Sequence, residues 1–192
     1  MKDTDTREKL MTAALGLFTE KGFAGASTRE IVKRAGVTKP TLYYYFPSKE
    51  DLYQVLIEDD FGRFNGALAG IAGRPGTAPE RLVGVATYCL EHCRKRPQEV
   101  KLTLMALYRG DTFAPEVDIV TPAMASIGII AGVIREGMDS GEFRAGDPMI
   151  LGTFILSVLH GQMMAILKGS GQIKLARPEE IIELFLNGIS KK

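Results

Sequence analysis

Apolar residues recur at helical spacing along most of the chain. Near the N-terminus, Leu10, Ala13, Ala14, Leu17 and Phe18 follow the i, i+3, i+4, i+7, i+8 pattern that forms one apolar stripe on an α-helix. Further stripes of this kind follow, and turns that contain glycine or proline separate them. The pattern predicts an all-α protein of about nine helices.

Polar residues and glycines divide the first part of the chain into three helices. Gly22 is expected to end the first helix, and Ser27 with Glu30 fits a capping box at the start of the second. Gly36 can adopt the left-handed conformation that ends this second helix, and Thr38 is suited to cap a third. The last two of these helices are joined by a tight turn, which is helix-turn-helix geometry.

The third helix, at residues 39–46, contains three consecutive tyrosines. Leu42, Tyr45 and Phe46 share one face and are expected to pack on the first two helices. The other side chains should face outward, and these are Lys39, Pro40, Thr41, Tyr43 and Tyr44. In a helix-turn-helix unit the second helix of the pair enters the major groove, where a phenol can contact sugar, a thymine methyl group or a phosphate oxygen. The pattern therefore indicates a DNA-reading helix.

Composition and charge add little to this interpretation. The chain has 192 residues, of which 45% are apolar, and this is enough for a folded core. Its formal net charge is +1, and residues 1–55 hold nine Lys and Arg against seven Asp and Glu, hence +2. Any nucleic-acid footprint therefore has to be local. Cys89 and Cys93 lie four apart in a helical pattern, and no signal peptide is evident, so we expect a cytoplasmic protein.

The segment STREIVKRAGVTKPTLYYYFPSKEDLY, with Phe18 and the Gly22–Phe23 pair upstream, resembles the N-terminal DNA-binding domain of the TetR family of transcriptional repressors. The match covers roughly residues 6–55. Tyr45 departs from the family pattern, which often has histidine there. The resemblance implies that Lys49 binds backbone phosphate and that the other DNA contacts come from Thr28, Arg29, Thr38, Lys39, Pro40, Thr41, Tyr43 and Tyr44.

We therefore predict a helix-turn-helix DNA-binding domain at residues 1–55 and a helical ligand-binding and dimerisation domain at residues 56–192. The fourth helix is expected to end before the GRPG turn, and Pro122 should kink or start a later one. The remaining helices are expected at 79–96, 98–109, 114–141, 147–168 and 177–189. The family resemblance implies that the last two helices pair with their copies across a two-fold axis.

Residues 148–167 contain no Asp, Glu, Lys or Arg and are long enough to span a bilayer. They also carry small and polar residues that lipid would accommodate poorly, so no membrane association is expected. The helix is apolar almost all round, and one face of a monomer cannot cover it. We expect a homodimer formed through the last two helices, and a buried central helix in a monomer is the alternative.

The second domain also contains candidate residues for a ligand cavity. Methionines adapt to irregular apolar ligands, and small-molecule sites are mostly apolar with few polar groups. The candidates are Tyr88, Cys89, His92, Met105, Tyr108, Met124, Ile127, His160, Met163 and Met164. We expect a neutral or weakly polar small-molecule effector, but each methionine can equally fill the core, and His160 can equally bond a neighbouring helix.

Other chemistry is poorly supported. Cys89, His92 and Cys93 could supply metal ligands or a redox thiol, but a fourth ligand is unaccounted for. The sequence contains no phosphate-binding loop, dinucleotide fingerprint, nucleophile elbow or zinc-protease motif. We therefore expect no enzyme, no catalytic residue, no cofactor and no metal. The acid pair Asp59–Asp60 is expected to be solvated helix surface.

The favoured function is a dimeric, ligand-responsive transcriptional repressor that binds double-stranded DNA at a palindromic operator and is released by a mostly apolar inducer. The alternative is a helical small-molecule binder, or a thiol- or metal-dependent protein, whose N-terminal bundle docks on protein rather than on DNA.

Overall fold

The computed structural model describes residues 2–108, 110–169 and 174–187. Within these ranges the chain forms nine α-helices and no strand, which confirms the predicted fold class. The helices are α1 (Lys2–Gly25), α2 (Thr28–Ala35), α3 (Lys39–Tyr45), α4 (Lys49–Ala72), α5 (Ala78–Lys95), α6 (Pro97–Leu107), α7 (Val120–Asp139), α8 (Pro148–Lys168) and α9 (Pro178–Asn187).

The chain divides into two compact units. The first unit comprises Met1–Gly62 and Gln98–Val120, and the second comprises Arg63–Pro97 and Thr121–Lys192. Helix α4 is continuous from the first unit into the second. The compact units differ from the predicted domains because α6 and the segment after it belong with the N-terminal helices. The assignment of DNA binding to residues 1–55 and of ligand binding to residues 56–192 stays a prediction.

Three aromatic rings form the centre of the first unit. The Phe18 ring stacks on Phe23 with their centroids 5.5 Å apart, and the Tyr53 ring meets each of them edge-on at 5.3 Å. All three side chains are buried. Edge-to-face and offset-stacked pairs are favoured by the charge distribution of aromatic rings, in addition to the burial of their area. This cluster fixes the start of α4 against α1.

The regular geometry of α1 breaks at Gly22, as the sequence predicted, although a short helical segment continues to Gly25. Gly22 has φ 73°, in the left-handed region that side chains disfavour. A β-carbon at this position would also lie 3.0 Å from a carboxylate oxygen of Asp111. Glycine is therefore required both by the backbone and by the approach of Asp111, which accepts a hydrogen bond from the Phe23 N–H at 2.5 Å.

Capping interactions position α2 and α3 as predicted. The Glu30 N–H donates to the Ser27 hydroxyl, and the Ser27 N–H donates to the Glu30 carboxylate, which completes the capping box. Gly36 ends α2 in the left-handed conformation. The Thr41 N–H donates to the Thr38 hydroxyl at the start of α3. These caps define the sharp turn between the two helices.

Helix α6 is anchored to the first unit by polar contacts. The Thr103 hydroxyl donates to the Asp60 carboxylate at 2.8 Å, and the Lys101 ammonium donates to the Thr19 carbonyl at 2.8 Å. Asp60 is only 3% exposed. The prediction that Asp59 and Asp60 are both solvated is therefore wrong for Asp60, because α6 covers this face of α4 and Thr103 supplies a hydrogen bond there.

The second unit is built around α5. Its predicted apolar stripe is buried, and α5 packs against α8 and α9. Ile181 and Ile182 of α9 are buried as well. The GRPG turn precedes α5, and the predicted bounds of α5, α6 and α8 lie within two residues of those observed. The helix predicted at 114–141 is wrong at its start, because α7 begins only at Val120, two residues before Pro122. Residues 188–189, the predicted end of the last helix, lie outside the described residues.

Helix α8 has two faces with different surroundings. One face is buried and includes Ile155, Leu159 and Met163, whereas the other is exposed along the helix. The exposed side chains include Ile150, Phe154, Val158 and Met164. By length and mean hydropathy, 1.8, α8 could cross a bilayer. One face of α8 packs against α5 and α9 within the second unit. This face accounts for about a third of the apolar segment, 33% of which is buried. The other face is left without a covering partner in the described monomer.

Candidate functional site

Helix α3 presents an exposed surface, here called the α3 face, formed by Thr38, Lys39, Pro40, Tyr43 and Tyr44. Tyr43 is 47% exposed and Tyr44 is 77% exposed. The opposite side of α3 buries Leu42, and Phe46 immediately after the helix is also buried. The structure therefore directs two of the three consecutive phenols toward solvent as the sequence predicted, whereas Thr41, also expected to face outward, is half-buried.

Aromatic contacts orient the exposed phenols. The Tyr44 and Tyr45 rings meet edge-on with centroids 5.0 Å apart, and Tyr45 lies 6.5 Å from Phe46. The Arg7 guanidinium lies 5.4 Å from the centre of the Phe46 ring. Tyr45 is half-buried and links the exposed Tyr44 to the buried Phe46. Contacts between aromatic rings thus connect the exposed Tyr44 to the core through Tyr45.

The hydroxyl groups of two threonines at the start of α3 form a hydrogen bond with each other. The Thr38 and Thr41 oxygens lie 2.8 Å apart, and Thr38 also accepts from the Thr41 N–H. Thr38 is exposed and Thr41 is half-buried. A hydroxyl has one hydrogen and two lone pairs, so the pair keeps further capacity to bond a base edge or a phosphate oxygen.

Cations close to α2 fall into two classes. The Arg34 guanidinium binds the Glu20 carboxylate through two contacts of 2.9 Å, and Lys21 binds Glu30 at 2.6 Å. Hydrogen bonds from Lys21 and Ser27 lower the pKa of Glu30 to about 2, so this carboxylate stays ionised.

Arg29 and Lys39, by contrast, are exposed and take part in no salt bridge within the described part of the chain. Thr28, beside Arg29 in the first turn of α2, is half-buried. Both cations are therefore available to phosphate groups, and they lie on the two helices of the helix-turn-helix unit.

Lys49 has a structural role that the sequence reasoning missed. Its ammonium donates to the carbonyls of Phe23 at 2.9 Å and Ala26 at 3.1 Å, and it lies 4.0 Å from the centre of the Phe23 ring. An ammonium carries three N–H donors, so one remains for the phosphate contact that the family resemblance implies. Nothing in the local sequence identifies the two carbonyls, because they lie more than twenty residues away in the chain.

The predicted ligand-binding residues are distributed over both units. Met105 and Tyr108 belong to the first unit, and the other eight belong to the second. Met124 and Met164 are exposed. In the second unit the structure brings the rings of Phe64, Tyr88 and His92 together, with centroids 5.4 to 5.7 Å apart. The role of these residues in ligand binding stays a prediction.

The two cysteines are buried, and burial raises the pKa of Cys89 to about 12 and that of Cys93 to about 11. The Cys93 thiol donates to the Met163 carbonyl at 3.6 Å, and the Tyr88 hydroxyl lies 3.4 Å from Nδ1 of His92. Among residues 2–108, 110–169 and 174–187, no group of three His, Cys, Asp or Glu side chains could hold a metal ion. The thiols are protonated at neutral pH, which disfavours redox or metal chemistry there.

Comparison with known proteins supports the interpretation of α2 and α3 as a DNA-binding helix-turn-helix unit. The family described as "Bacterial regulatory proteins, tetR family" matches residues 10–56, which include all of α2 and α3. The uncharacterized HTH-type transcriptional regulator YdgC of Bacillus subtilis (strain 168) is 44% identical over 62 residues, which are 32% of each chain. The alignment thus spans about a third of that relative.

Two other matches extend over nearly the whole chain. The fatty acid metabolism regulator protein of Bacillus subtilis (strain 168) is 24% identical over 96% of this chain and 95% of its own length. The crystal structure of the transcriptional regulator FadR from Bacillus subtilis in complex with stearoyl-CoA has a TM-score of 0.78 at 22% identity, covering 95% of this chain and 99% of that one. Residues 10–56, which include the α3 face, therefore match the TetR family of DNA-binding transcriptional regulators, and the chain shares its fold with FadR over nearly its whole length.

Proposed function

We propose that this protein is a cytoplasmic transcriptional repressor that binds a palindromic operator as a homodimer and leaves it when a small, mostly apolar molecule binds. The observation that supports this proposal best is the α3 face. A seven-residue helix directs Lys39, Tyr43 and Tyr44 outward while Leu42 holds it against the core. Such a helix fits the major groove, and its first residues can reach base edges.

Each side chain on this surface has a distinct task in the proposed complex. Arg29 and Lys39 bind phosphate and set the register, and Lys49 adds one further phosphate contact through its remaining donor. Thr38 and Thr41 offer hydroxyls, and Pro40 and the Tyr43 ring offer apolar surface to thymine methyl groups. Thr28 and Tyr44 complete the contacts on the flanking backbone.

The homodimer supplies two copies of this surface. The uncovered face of α8 includes Ile150, Phe154 and Val158, and α9 adds Leu184 and Leu186. An apolar surface of this kind is stabilised by burial against another apolar surface. Two helices from each subunit would form a four-helix interface about a two-fold axis, which matches the symmetry of a palindromic operator.

Ligand response requires a connection between the units, and α4 supplies a covalent one. It begins in the first unit with Lys49 and Tyr53 and continues into the second unit to Ala72. An effector that favours one conformation of the protein shifts the spacing of the two α3 helices. The required difference in binding free energy is about 1–3 kcal/mol, as in other allosteric proteins.

We infer that the effector site in the second unit includes Tyr88, His92 and Met163 of the residues predicted from the sequence. Tyr88, His92 and Phe64 form an aromatic cluster, and Met163 lies beside Cys93. This environment suits a mostly apolar molecule with a small polar group. The similarity to a regulator solved with stearoyl-CoA suggests that molecules with long hydrocarbon chains should be tested first.

Selection from random DNA duplexes at low salt, followed by fluorescence anisotropy on the selected sequence, tests the DNA-binding proposal. We expect Lys39→Ala and Tyr43→Ala to weaken binding by about 1–3 kcal/mol each, and Lys39→Ala to reduce the salt dependence by about one counterion. Lys95→Ala is the matched control, because Lys95 is an exposed lysine of α5, which belongs to the other compact unit. Failure to select any sequence would contradict the proposal.

A further inference from the structure

The first unit contains a cavity of about 670 Å³. It lies between Tyr53, at the start of α4, and the segment that runs from the end of α6 to the start of α7. Its volume is within the range of small-molecule sites, which is about 300–1,000 Å³. The cavity wall therefore belongs to the same compact unit as the α3 face, and not to the unit with the predicted effector site.

Tyr53 gives this cavity an unusual polar group. The residue is only 1% exposed, and its hydroxyl has no hydrogen-bond partner among the described residues. A buried hydroxyl without a hydrogen-bond partner lowers the free energy of unfolding. Most buried hydroxyls in proteins are therefore hydrogen-bonded. Burial, with a smaller effect from the Asp111 charge, raises the pKa of Tyr53 to about 12, so the hydroxyl is protonated at neutral pH.

Asp111 is the second polar feature of the wall. Its carboxylate accepts from the Phe23 N–H at 2.5 Å and from the Phe113 N–H at 3.1 Å. The carboxylate of Asp111 accepts hydrogen bonds and carries a negative charge. It therefore favours a ligand that donates hydrogen bonds over an anionic one.

The remaining wall is mostly apolar. Leu107, Pro115, Val117 and Ile119 contribute hydrocarbon surface, and Tyr108 is exposed and accessible from solvent. A ligand here would bury an apolar body and place one polar group toward Tyr53 and Asp111. This combination of an apolar wall and a few polar groups is typical of small-molecule sites.

We propose that this cavity is an effector site for an apolar organic molecule with a cationic or neutral hydrogen-bond-donating head group. The inference rests on the proposed DNA-binding function and adds a site and a ligand class to it. The head group bonds the Tyr53 hydroxyl and the Asp111 carboxylate, and the hydrocarbon body contacts Leu107, Val117 and Ile119.

Asp111 also connects the site to the DNA-binding helices. Its carboxylate bonds the Phe23 N–H, and Lys49 bonds the Phe23 carbonyl and the Ala26 carbonyl just before α2. A ligand that donates to Asp111 competes with the Phe23 N–H for the same oxygen atoms. Occupancy therefore loosens the backbone segment that precedes α2 and lowers DNA affinity.

Three probes with the same hydrocarbon chain and different head groups test the ligand class. Decylamine, decanol and decanoate are titrated into the full-length protein by calorimetry, below the concentrations at which they form micelles. We expect decylamine to bind most tightly and decanoate most weakly. Tyr53→Phe removes only the hydroxyl, and it should weaken decylamine binding about five-fold, as expected for one hydrogen bond.

Asp111→Asn keeps an oxygen for the Phe23 N–H but removes the charge, so it should abolish the preference for decylamine over decanol. Tyr45→Phe is the matched control, because it removes a phenol hydroxyl from a residue of the same unit that does not line the cavity, and it should leave decylamine affinity unchanged. Circular dichroism verifies that each variant is folded.

The inference is overturned if none of the probes binds, if decanoate binds most tightly, or if Tyr45→Phe weakens decylamine binding as much as Tyr53→Phe does. DNA affinity of the ligand-free protein is measured in parallel. Loss of the ligand result with intact DNA binding overturns this site alone, whereas absence of DNA binding overturns the proposed function on which it rests.

Discussion

Helices α3 and α8 both direct large hydrophobic side chains away from the core, but those of α3 end in polar groups and those of α8 do not. The exposed Tyr43 and Tyr44 of α3 carry hydroxyls that can bond water or DNA. Phe154 and Val158 of α8 carry no polar atom, although Phe154 is 65% exposed. Exposed aromatic and aliphatic side chains therefore do not all indicate the same kind of surface. The phenols of α3 are compatible with contact to water, whereas the hydrocarbon side chains of α8 are typical of a surface that another protein subunit covers.

The first test of this comparison places a charge on α8. Gly161 lies on the exposed face, and a β-carbon there meets nothing within 4 Å in the monomer. We expect Gly161→Glu to leave the monomer folded and to weaken the homodimer more than 100-fold, because a carboxylate would be buried at an apolar interface without a partner. Sedimentation velocity measures the change.

Gly70→Glu is the matched control for this substitution. Gly70 is also an exposed helical glycine with open space around it, since a β-carbon there meets nothing within 4 Å. It lies on α4 and should leave the dimer intact. A dimer that tolerates Gly161→Glu, or that Gly70→Glu disrupts equally, would contradict the assignment of the α8 face.

The second test concerns the polar anchors beneath α3. Lys49→Met keeps the length of the side chain but removes the ammonium that bonds the Phe23 and Ala26 carbonyls. We expect a loss of about 2 kcal/mol in the free energy of unfolding, because two hydrogen bonds from a charged donor disappear from a part-buried position. Urea denaturation followed by circular dichroism measures it.

Lys95→Met provides the control, since Lys95 forms an exposed pair with Glu91, and such pairs contribute about 0–1 kcal/mol. Equal effects of the two substitutions would show that the Lys49 contacts do not stabilise the first unit.

A third test compares buried and exposed phenols. Tyr53→Phe should raise the free energy of unfolding by about 1 kcal/mol, because it removes a buried hydroxyl that has no partner among the described residues. Tyr44→Phe, on an exposed phenol, should change stability by less than about 0.5 kcal/mol. Thermal unfolding of both variants measures the difference, and destabilisation by Tyr53→Phe would show that the hydroxyl is satisfied in the folded protein.

The smallest expected effect concerns the cysteines of the second unit. Burial raises the pKa of Cys89 to about 12 and that of Cys93 to about 11, so the reactive thiolate is scarce at neutral pH. We expect iodoacetamide to modify neither thiol in the folded protein at pH 7, and to modify both after unfolding in urea. Mass spectrometry counts the adducts. Rapid modification of the folded protein would favour the alternative of a thiol-dependent function.

The sequence predicted what depends on neighbouring residues in the chain. The apolar stripe of α5, the capping box of Ser27 with Glu30 and the outward position of Tyr43 all follow from local spacing, and the structure contains all three. The sequence did not predict that Asp60 is buried or that Lys49 bonds two carbonyls. Those features depend on segments that are distant in the chain, and periodicity carries no information about them.

The candidate ligand residues illustrate the same limit. A methionine on an apolar face can be buried, as Met163 is, or exposed, as Met164 is, and both belong to the same helix. Periodicity identifies the face but not the element that covers it. The cavity beside Tyr53 was missed for a related reason. The sequence predicted helix at 114–119, whereas these residues form no helix and line the cavity together with Tyr53, which is a tertiary feature.

The central claim is that two α3 helices of one dimer read two half-sites on the same side of DNA. The most direct test measures the affinity of the protein for its selected palindrome and for the same palindrome with about 5 base pairs, half a helical turn, inserted at the centre. We expect the insertion to reduce affinity to that of a single half-site, because it places the second half-site on the opposite side of the duplex. Unchanged affinity would contradict the claim.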